Sequence, residues 1–306
     1  MKKCPYCEAE IADEAKFCTS CGWPQPIPPQ PESKASAIGS ALIKSICFLM
    51  FFAGVQMVTF ISHAVYIIMM NPPAPDDMYA ANVTSIMIQS MTTNLHEKMI
   101  ISGVFTVAIL FFVYAVQKRK FVNEISLRKT PPIPMAVVAV CAVAFQFVTV
   151  VAISAIPISD ELTEILEQVG QRLMGGSPVL KVINIAIITP IVEEVVFRGF
   201  IFSRLRKAMN PVAAAAISGV MFGLVHGNII AFVYATVLGI FMALVMEKYN
   251  SILPAILCHM VFNGTNLALE YIAPDNGIFI IAAFALSAVA LALGLIWLIK
   301  SKKEQY

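Results

Sequence analysis

The chain has 306 residues, of which 58% are apolar and 13% charged, with a formal net charge of +2 and a mean hydropathy of +0.79. The charged share is about half that of a typical soluble domain, which predicts a membrane protein. The small net charge, with no basic cluster interleaved with aromatics, argues against a nucleic-acid partner. The first apolar run begins near Ile38, so we expect no N-terminal signal peptide.

Two Cys-x-x-Cys pairs stand near the N-terminus, Cys4 with Cys7 and Cys18 with Cys21. Four thiolates at this spacing can surround one tetrahedral Zn²⁺ and close the site to water. We predict a structural zinc ribbon over residues 1–23, whose folding depends on the metal because so short a segment buries little core. Two disulfides are the alternative, disfavoured in the reducing cytoplasm.

The ribbon resembles those at the front of many bacterial membrane and regulatory proteins, although Glu8 stands where a glycine usually follows the first pair. We expect it to recruit a substrate or a protein partner. Residues 24–37 are rich in proline and predict an extended linker.

After the linker, apolar runs of about 20 residues alternate with short polar connections, and such a run crosses ~30 Å of hydrocarbon as a helix. We predict an all-α polytopic bundle of about eight spans, two in residues 38–129 and six in a domain over residues 130–300. A bundle of seven spans or a re-entrant fifth segment is the alternative. The predicted spans are 41–69, 99–117, 134–157, 180–202, 212–227, 229–247, 252–272 and 277–299.

The orientation follows from the positions of Lys and Arg, which concentrate on the cytoplasmic side of membrane proteins. With the N-terminus in the cytoplasm, that side receives all 21 such residues except Lys98, Arg172, Lys181 and Arg198. The loop before the fourth span, acidic over residues 160–167, falls outside. We predict a multi-pass protein of the cytoplasmic membrane with both termini in the cytoplasm.

Ionisable groups within the fourth predicted span are expensive in hydrocarbon and therefore indicate function. Glu194 and Arg198 stand at i,i+4 on one helix face and can neutralise each other. Glu193 is turned about 100° away on a regular helix. It lacks that partner and is free to act as a general base.

The fifth span carries His226, and the seventh carries His259 and Asn263 at i,i+4. At 1.5 Å per residue, these groups and Glu193 lie about 12 to 20 Å from the cytoplasmic ends of their spans. We therefore predict that all four meet in one layer around one water molecule.

Gly219, Gly223 and Gly227 recur at four-residue spacing and predict a face that another helix approaches closely. Glycines that only help the helices to pack, with no role in the site, explain this spacing equally well. Close approach would bring Phe222 and His226 beside the fourth and seventh spans. The other cysteines and histidines stand in no motif and are predicted to be structural, the cysteines as buried hydrophobes: Cys47, Cys141, Cys258, His63 and His96.

The strings EExxxR, FxxxH and HxxxN, in this order on successive predicted helices, resemble the signature of the CPBP family of intramembrane metalloproteases. That family includes type II CAAX prenyl endopeptidases and abortive-infection or bacteriocin-immunity-like proteins. The resemblance covers about residues 130–300. It implies that Glu193 activates the attacking water, that His226 and His259 bind or polarise it, and that Asn263 stabilises the oxyanion.

The resemblance also implies that Glu194 and Arg198 hold the fourth helix in register and that Phe222 walls the pocket. A catalytic divalent metal such as Zn²⁺, bound by His226 and His259, is implied as an option. A Glu193 that ligates a metal is a poorer base, and we favour the base.

These observations predict an intramembrane metalloendopeptidase whose membrane-embedded or membrane-associated peptide substrate reaches the site from the cytoplasmic side. CAAX-type processing is implied by the resemblance alone. The alternatives are a non-catalytic bacteriocin-immunity or membrane scaffold protein and, less favoured, a transporter that uses the same buried polar layer.

Overall fold

The computed structural model divides the chain into two compact units, Met1–Ser40 and Ala41–Tyr306. Most of the predicted linker lies outside the described residues. The structure describes residues 1–13, 15–24, 33–70, 85, 93–157, 159–272 and 277–301.

The first unit contains a two-stranded antiparallel sheet, in which β1 (Lys2–Lys3) pairs with β2 (Glu10–Ile11). Its small core consists of Cys4, Ile11 and Cys18. Helix α1 (Lys34–Met70) starts within the segment predicted to be extended linker.

The predicted linker end at residue 37 is therefore wrong. Ser33 Oγ accepts a hydrogen bond from the backbone N–H of Ser36 at 3.1 Å, as a helix-capping serine does. No proline follows Pro31 before the helix, so nothing in the sequence prevents helix formation from Lys34.

The second unit is built of helices around one that is irregular. The regular helices after α1 are α2 (Leu95–Val116), α3 (Phe121–Glu124), α4 (Pro132–Ser154) and α5 (Asp160–Met174). The irregular one, here called the central helix, runs without interruption over residues 178–208. Its segments are α6 (Pro178–Val182), π1 (Ile183–Ile188), α7 (Thr189–Glu194), π2 (Val195–Phe202) and α8 (Ser203–Ala208). It is followed by α9 (Pro211–Leu224), α10 (Ile229–Tyr249), α11 (Leu253–Ile272) and α12 (Gly277–Lys300).

The chain is a multi-pass membrane protein, and its described residues contain five helices long and apolar enough to cross a bilayer: α1, α2, α4, α10 and residues Ala282–Lys300 of α12. The predicted count of about eight is not confirmed. The predicted fourth span is the segmented central helix. The predicted fifth is α9, whose 14 residues extend about 21 Å, less than the ~30 Å of hydrocarbon. The seventh is α11, which is made less apolar by His259, Asn263 and Asn266.

The core of this unit surrounds π2, of which every residue is buried. Phe197 and Phe200 are completely enclosed, and α9 and α10 both pack against this segment. At the other side of the unit, α12 packs against α4. Cys141 and Cys258 are buried as predicted, whereas Cys47 is exposed on α1, so the prediction for Cys47 is wrong.

Helices α9 and α10 pack closely at two of the three predicted glycines. A Cβ on Gly219 would lie 2.6 Å from Ile240 Cγ1, and one on Gly223 would overlap Thr236 Oγ1. Gly227 does not belong to this face, because it lies beyond the end of α9 with a φ of +78° and no neighbour within 4 Å of its Cβ position.

One end of the unit carries most of the basic side chains. Arg204 donates to Glu124 at 3.0 Å and to Tyr114 at 2.7 Å, and Arg206 pairs with Glu247 at 2.9 Å. Burial raises the pKa of the Glu124 carboxyl, but its hydrogen bonds and charge contacts with Arg204 and Arg119 lower it more, so the net pKa is below the usual range. The α2–α3 connection and α8 are thereby fixed to each other.

The α9–α10 contact yields a stability prediction. We expect Gly223→Ala to lower the free energy of unfolding by about 1–3 kcal/mol, because the added methyl group overpacks the interface. Unfolding of the full chain in mixed micelles measures it. Gly54→Ala on α1, where a Cβ meets nothing within 4 Å, is the control and should be neutral or gain up to about 1 kcal/mol from helix propensity. Equal effects from both would contradict close packing at Gly223.

Candidate active site and metal cluster

A cavity of about 330 Å³ lies between the central helix, α4, α9, α10 and α11. Four predicted site residues line it: Glu193, His226, His259 and Asn263. Phe222 also lines it, as the resemblance implies, whereas Glu194 and Arg198 lie behind this wall and are completely buried. The remaining wall is mostly apolar, including Val150, Ile153, Tyr234, Leu238 and Phe262.

Glu194 holds two partners at once. Its Oε2 lies 3.1 Å from Arg198 Nε, and its Oε1 accepts a hydrogen bond from His259 Nδ1 at 2.9 Å. The structure therefore contains the i,i+4 pair predicted from the sequence. It adds a contact to His259 that spacing along one helix could not reveal, and this contact leaves His259 Nε2 facing the cavity.

Glu193 lies on the cavity wall, with 14% of its side chain exposed, and its Oε2 is 3.7 Å from His259 Nε2. At this separation the two groups do not hydrogen-bond directly. A water molecule that contacts both could complete the connection. Glu193 and Glu194 thus approach opposite nitrogens of one imidazole.

His226 is oriented by the end of α9. Its backbone N–H bonds to the carbonyl of Gly223, a tightened turn that frees the carbonyl of Phe222. His226 Nδ1 donates to this carbonyl at 2.8 Å, which leaves Nε2 as the unprotonated nitrogen of a neutral ring. Asn228 then accepts from Ala231 N–H at 2.8 Å and starts α10.

Asn263 is held by the π1 segment of the central helix. Its Nδ2 donates to the carbonyl of Ile185 at 3.0 Å, which leaves the second N–H of the amide for another acceptor. In a π turn each backbone N–H bonds to the carbonyl five residues before it, rather than four as in an α-helix. The central helix is therefore not the regular helix predicted from the sequence.

The ring of Phe222 packs among the polar groups rather than simply closing the pocket. The Arg198 guanidinium carbon lies 4.4 Å from its centroid, close enough for a cation–π interaction. The His226 and His259 rings meet it edge-on at 4.7 and 5.5 Å. Phe222 therefore contacts both the buried cation and the two imidazoles.

The acidic segment predicted as a loop is the amphipathic helix α5, so the predicted loop is wrong. Ser159 caps the helix by accepting from Leu162 N–H at 3.3 Å. Leu162 and Leu166 are half-buried while Glu164 is exposed, and Leu173 and Met174 at its end line the cavity. The apolar residues at i, i+4 and i+11 are the signal in the sequence that indicates this helix.

A further polar network, not predicted from the sequence, ties this end of α5 to the central helix. His96 Nε2 donates to the carbonyl of Gly175 and Nδ1 accepts from Asn184 Nδ2, both at 3.1 Å. Thr189, which lines the cavity, donates to Asn184 Oδ1 at 2.9 Å. His96 is thus structural in this arrangement, and Lys181 Nζ donates to the adjacent Met174 carbonyl at 3.0 Å.

The cavity reaches the end of the bundle that carries α5, remote from the Arg204 and Arg206 end. Met99 is near the start of α2, and Ile153 is near the end of α4. With both termini in the cytoplasm, as predicted, the α5 end would be non-cytoplasmic. The predicted orientation and the predicted cytoplasmic entry of substrate are therefore incompatible.

The residues implied as ligands of a catalytic metal do not form a metal centre in this geometry. Within the described part of the chain, three or more His, Cys, Asp or Glu ligand atoms lie within 4.8 Å of one another only in the four-cysteine group. Glu193, His226 and His259 do not form such a group, although both imidazoles offer Nε2 to the cavity.

The four-cysteine cluster has the dimensions of a zinc site. The Sγ atoms of Cys4 and Cys21 are 3.8 Å apart, and those of Cys7 and Cys18 are 3.6 Å apart. Tetrahedral Zn–S bonds of ~2.3 Å place sulfurs about 3.8 Å from one another. No disulfide joins the cysteines of the described residues.

The two cysteine loops repeat one backbone pattern. The N–H of Glu8 bonds to the carbonyl of Cys4, and the N–H of Gly22 bonds to that of Cys18, both at 2.9 Å. Glu8 and Gly22 take left-handed conformations, with φ of 58° and 73°. The first loop thus forces a glutamate into a conformation that favours glycine.

Comparison with known proteins agrees with both regions. Residues 175–265 match the type II CAAX prenyl endopeptidase Rce1-like family. The chain contains an Rce1-like domain. All six predicted site residues lie within its matched range, and residues 3–24 match the zinc-ribbon domain.

The Rce1-like region has a relative among curated proteins. A Bacillus subtilis (strain 168) protein named "Putative membrane peptidase YdiL" is 33% identical over 84 residues. The match covers 28% of this chain and 34% of the relative, so the chain spans about a third of that protein's length. No solved structure matches the chain.

The cysteine cluster predicts a dependence on zinc. We expect the purified full chain to contain about one zinc, because four thiolates complete the coordination, and Cys18→Ser or chelation should release it. Metal analysis and hydrogen exchange over residues 1–24 measure the loss of metal and of structure. Cys47→Ser, outside the cluster, should change neither. Unchanged zinc in Cys18→Ser would contradict the assignment.

The left-handed Glu8 predicts a stabilising substitution. Glu8→Gly should tighten zinc binding by roughly fivefold, since relief of about 1–2 kcal/mol of backbone strain exceeds the entropy that glycine loses on folding. Competition with a chelator measures the affinity. Glu10→Gly in β2 is the matched control and should weaken binding, because Glu10 does not have a positive φ. Equal effects would contradict strain at Glu8.

Proposed function

We propose that the chain is an intramembrane endopeptidase in which Glu193 activates water for attack on a peptide bond. The observation that supports this most strongly is that Glu193, His226, His259 and Asn263, from three separate helical elements, line one cavity. Scattered structural histidines and unrelated ion pairs would not be expected to converge in this way.

The water-activating step uses the Glu193 carboxylate as general base. A water molecule beside Glu193 donates one proton toward the Glu193 carboxylate and the other to His259 Nε2, which is directed by the bond from its Nδ1 to Glu194. His226, whose Nδ1 bonds to the Phe222 carbonyl, lines the same cavity. As the water oxygen attacks the carbonyl carbon, Glu193 takes one water proton and then delivers it to the departing amine nitrogen. The C–N bond breaks, the new C–O bond remains in the acid product, and the base is regenerated.

The oxyanion formed during attack needs a donor. The second N–H of Asn263 supplies one, because its first is fixed on the Ile185 carbonyl and sets the direction of the amide. A fixed donor in a water-poor site stabilises developing charge better than mobile solvent does. Asn263 is thus the proposed oxyanion residue.

Glu194 and Arg198 act as positioning residues. Glu194 fixes the tautomer and direction of His259, as a carboxylate behind a catalytic histidine does. Arg198 compensates the charge of Glu194, since both are completely buried and neither charge would be tolerated alone.

A catalytic metal has no part in this sequence of steps, because the candidate ligands are not gathered within the distance that a metal site requires. The zinc that we propose is the structural ion held by Cys4, Cys7, Cys18 and Cys21. With it the ribbon presents a stacked pair of exposed aromatics, Tyr6 and Trp23, whose ring centroids are 5.0 Å apart. We propose that this pair contacts a protein partner, since exposed aromatics favour interfaces.

The proposed substrate is a membrane-embedded peptide that enters at the α5 end, where the cavity has an apolar wall. The Rce1-like match favours CAAX-type processing. However, with both termini in the cytoplasm a prenylated tail on the cytoplasmic face would lie at the opposite end of the bundle. We therefore propose an apolar membrane segment that is not prenylated.

The test is proteolysis by the full chain in liposomes, with a library of quenched-fluorescent apolar peptides. Glu193→Gln should reduce turnover of the best peptide at least 100-fold, because general-base catalysis contributes about 10²- to 10⁴-fold. Glu270→Gln on α11 is the matched control, exposed and outside the cavity, and should retain turnover. Equal turnover by parent and Glu193→Gln would refute the proposal. Binding of a protein without cleavage would support the scaffold alternative, and ion flux that Glu193→Gln abolishes would support the transporter.

A further inference from the structure

Gln146 of α4 and Asn266 of α11 meet on the cavity wall, outside the proposed catalytic set. Gln146 Nε2 donates to Asn266 Oδ1 at 2.8 Å, and both residues line the cavity. Gln146 is 4% exposed. A polar amide buried in an apolar helix bundle is unfavourable unless its groups are bonded, so this pair calls for an explanation.

Only some of the hydrogen-bonding groups of the two side-chain amides have partners. Gln146 Oε1 is buried and has no hydrogen-bond partner among the described residues, while the bond to Gln146 leaves the N–H groups of Asn266 available. If both amides turn by half a circle, the donor and acceptor exchange between the two residues. In either arrangement the pair retains one acceptor and one donor side by side.

An adjacent donor and acceptor match the main chain of a peptide. In an extended strand the N–H and C=O of one residue point to the same side and can bond the same partner. In a helix these groups are engaged within the helix itself. The pair therefore fits a locally extended segment better than a helical one.

The position of Asn266 places this contact next to the proposed chemistry. Asn266 follows Asn263 by about 4.5 Å along the axis of α11, and an extended peptide advances about 3.3 Å per residue. A peptide whose scissile carbonyl lies at Asn263 would bring the next residue, or the one after it, to Asn266.

We propose that Gln146 and Asn266 form a substrate subsite that binds the main chain of one residue beside the scissile bond. This inference rests on the proposed function and adds a substrate class: apolar segments that are extended, or easily unwound, at the cleavage point. Because the subsite contacts main-chain atoms, it selects conformation rather than a particular side chain.

The binding test uses N-acetyl-trileucine methylamide and analogues in which each backbone N–H in turn is replaced by an ester oxygen. Affinity is measured by calorimetry on the full chain in detergent, with Glu193→Gln preventing cleavage. We expect one ester position to weaken binding about tenfold, the effect of one neutral hydrogen bond. Adding Gln146→Leu should weaken the parent peptide about tenfold and abolish the penalty at that ester position.

The controls separate recognition from folding. Gln56→Leu on α1 is the matched substitution, since Gln56 bonds to Ser102 away from the cavity, and it should leave affinity unchanged. Asn266→Ala provides a second variant at an exposed position if Gln146→Leu unfolds. Failure of the tripeptide to bind, an ester penalty that persists in both pair variants, or equal losses in Gln56→Leu would each overturn the subsite.

Cleavage measurements distinguish this failure from failure of the proposed function. In the otherwise unmodified chain, Gln146→Leu should raise KM for the best library peptide about tenfold while kcat stays nearly constant. Unchanged KM with active cleavage overturns the subsite and leaves the peptidase standing. The expected binding pattern without any cleavage by the parent supports the subsite and overturns the peptidase.

Discussion

The buried charge of Glu194 is the constraint on which the membrane unit depends. A carboxylate with no exposed surface must be compensated, and Arg198 and His259 do so from two different elements. Arg198 is itself enclosed and contacts the ring of Phe222. The central helix, α9 and α11 are therefore joined at one point, and removing Glu194 or Arg198 would leave the other charge buried without its ion-pair partner.

The π segments of the central helix position the neighbouring helices that form the cavity. A π turn shifts the hydrogen-bond pattern of a helix and leaves carbonyls for other donors. Asn263 of α11 bonds to Ile185 O in π1, and Ser218 of α9 bonds to Phe197 O in π2. Each neighbouring helix is thus fixed in register by a side chain that satisfies the backbone of the central helix. Strain or irregularity at such positions is common at functional sites.

Features that depend on local spacing could be predicted from the sequence: the cysteine pairs, the Glu194–Arg198 pair, and close packing at Gly219 and Gly223. The bond from Glu194 to His259 could not, because it joins residues 65 positions apart and depends on how helices pack. The π segments were missed because a regular period was assumed for the central helix. The acidic residues of α5 concealed its apolar stripe, and the end of the bundle that the cavity reaches could not be predicted, because depth along each span does not specify it.

The shortness of α9 has a consequence for the supply of water. A helix of about 21 Å ends below the surface of a ~30 Å hydrocarbon layer, and only four residues separate its end at Leu224 from the start of α10 at Ile229. Polar backbone ends at such depth attract solvent and thin the surrounding lipid. The proposed hydrolysis needs a route by which water reaches the cavity from outside the hydrocarbon layer. The short helix α9 would provide that route, through a locally thinned and hydrated region of the bilayer beside His226.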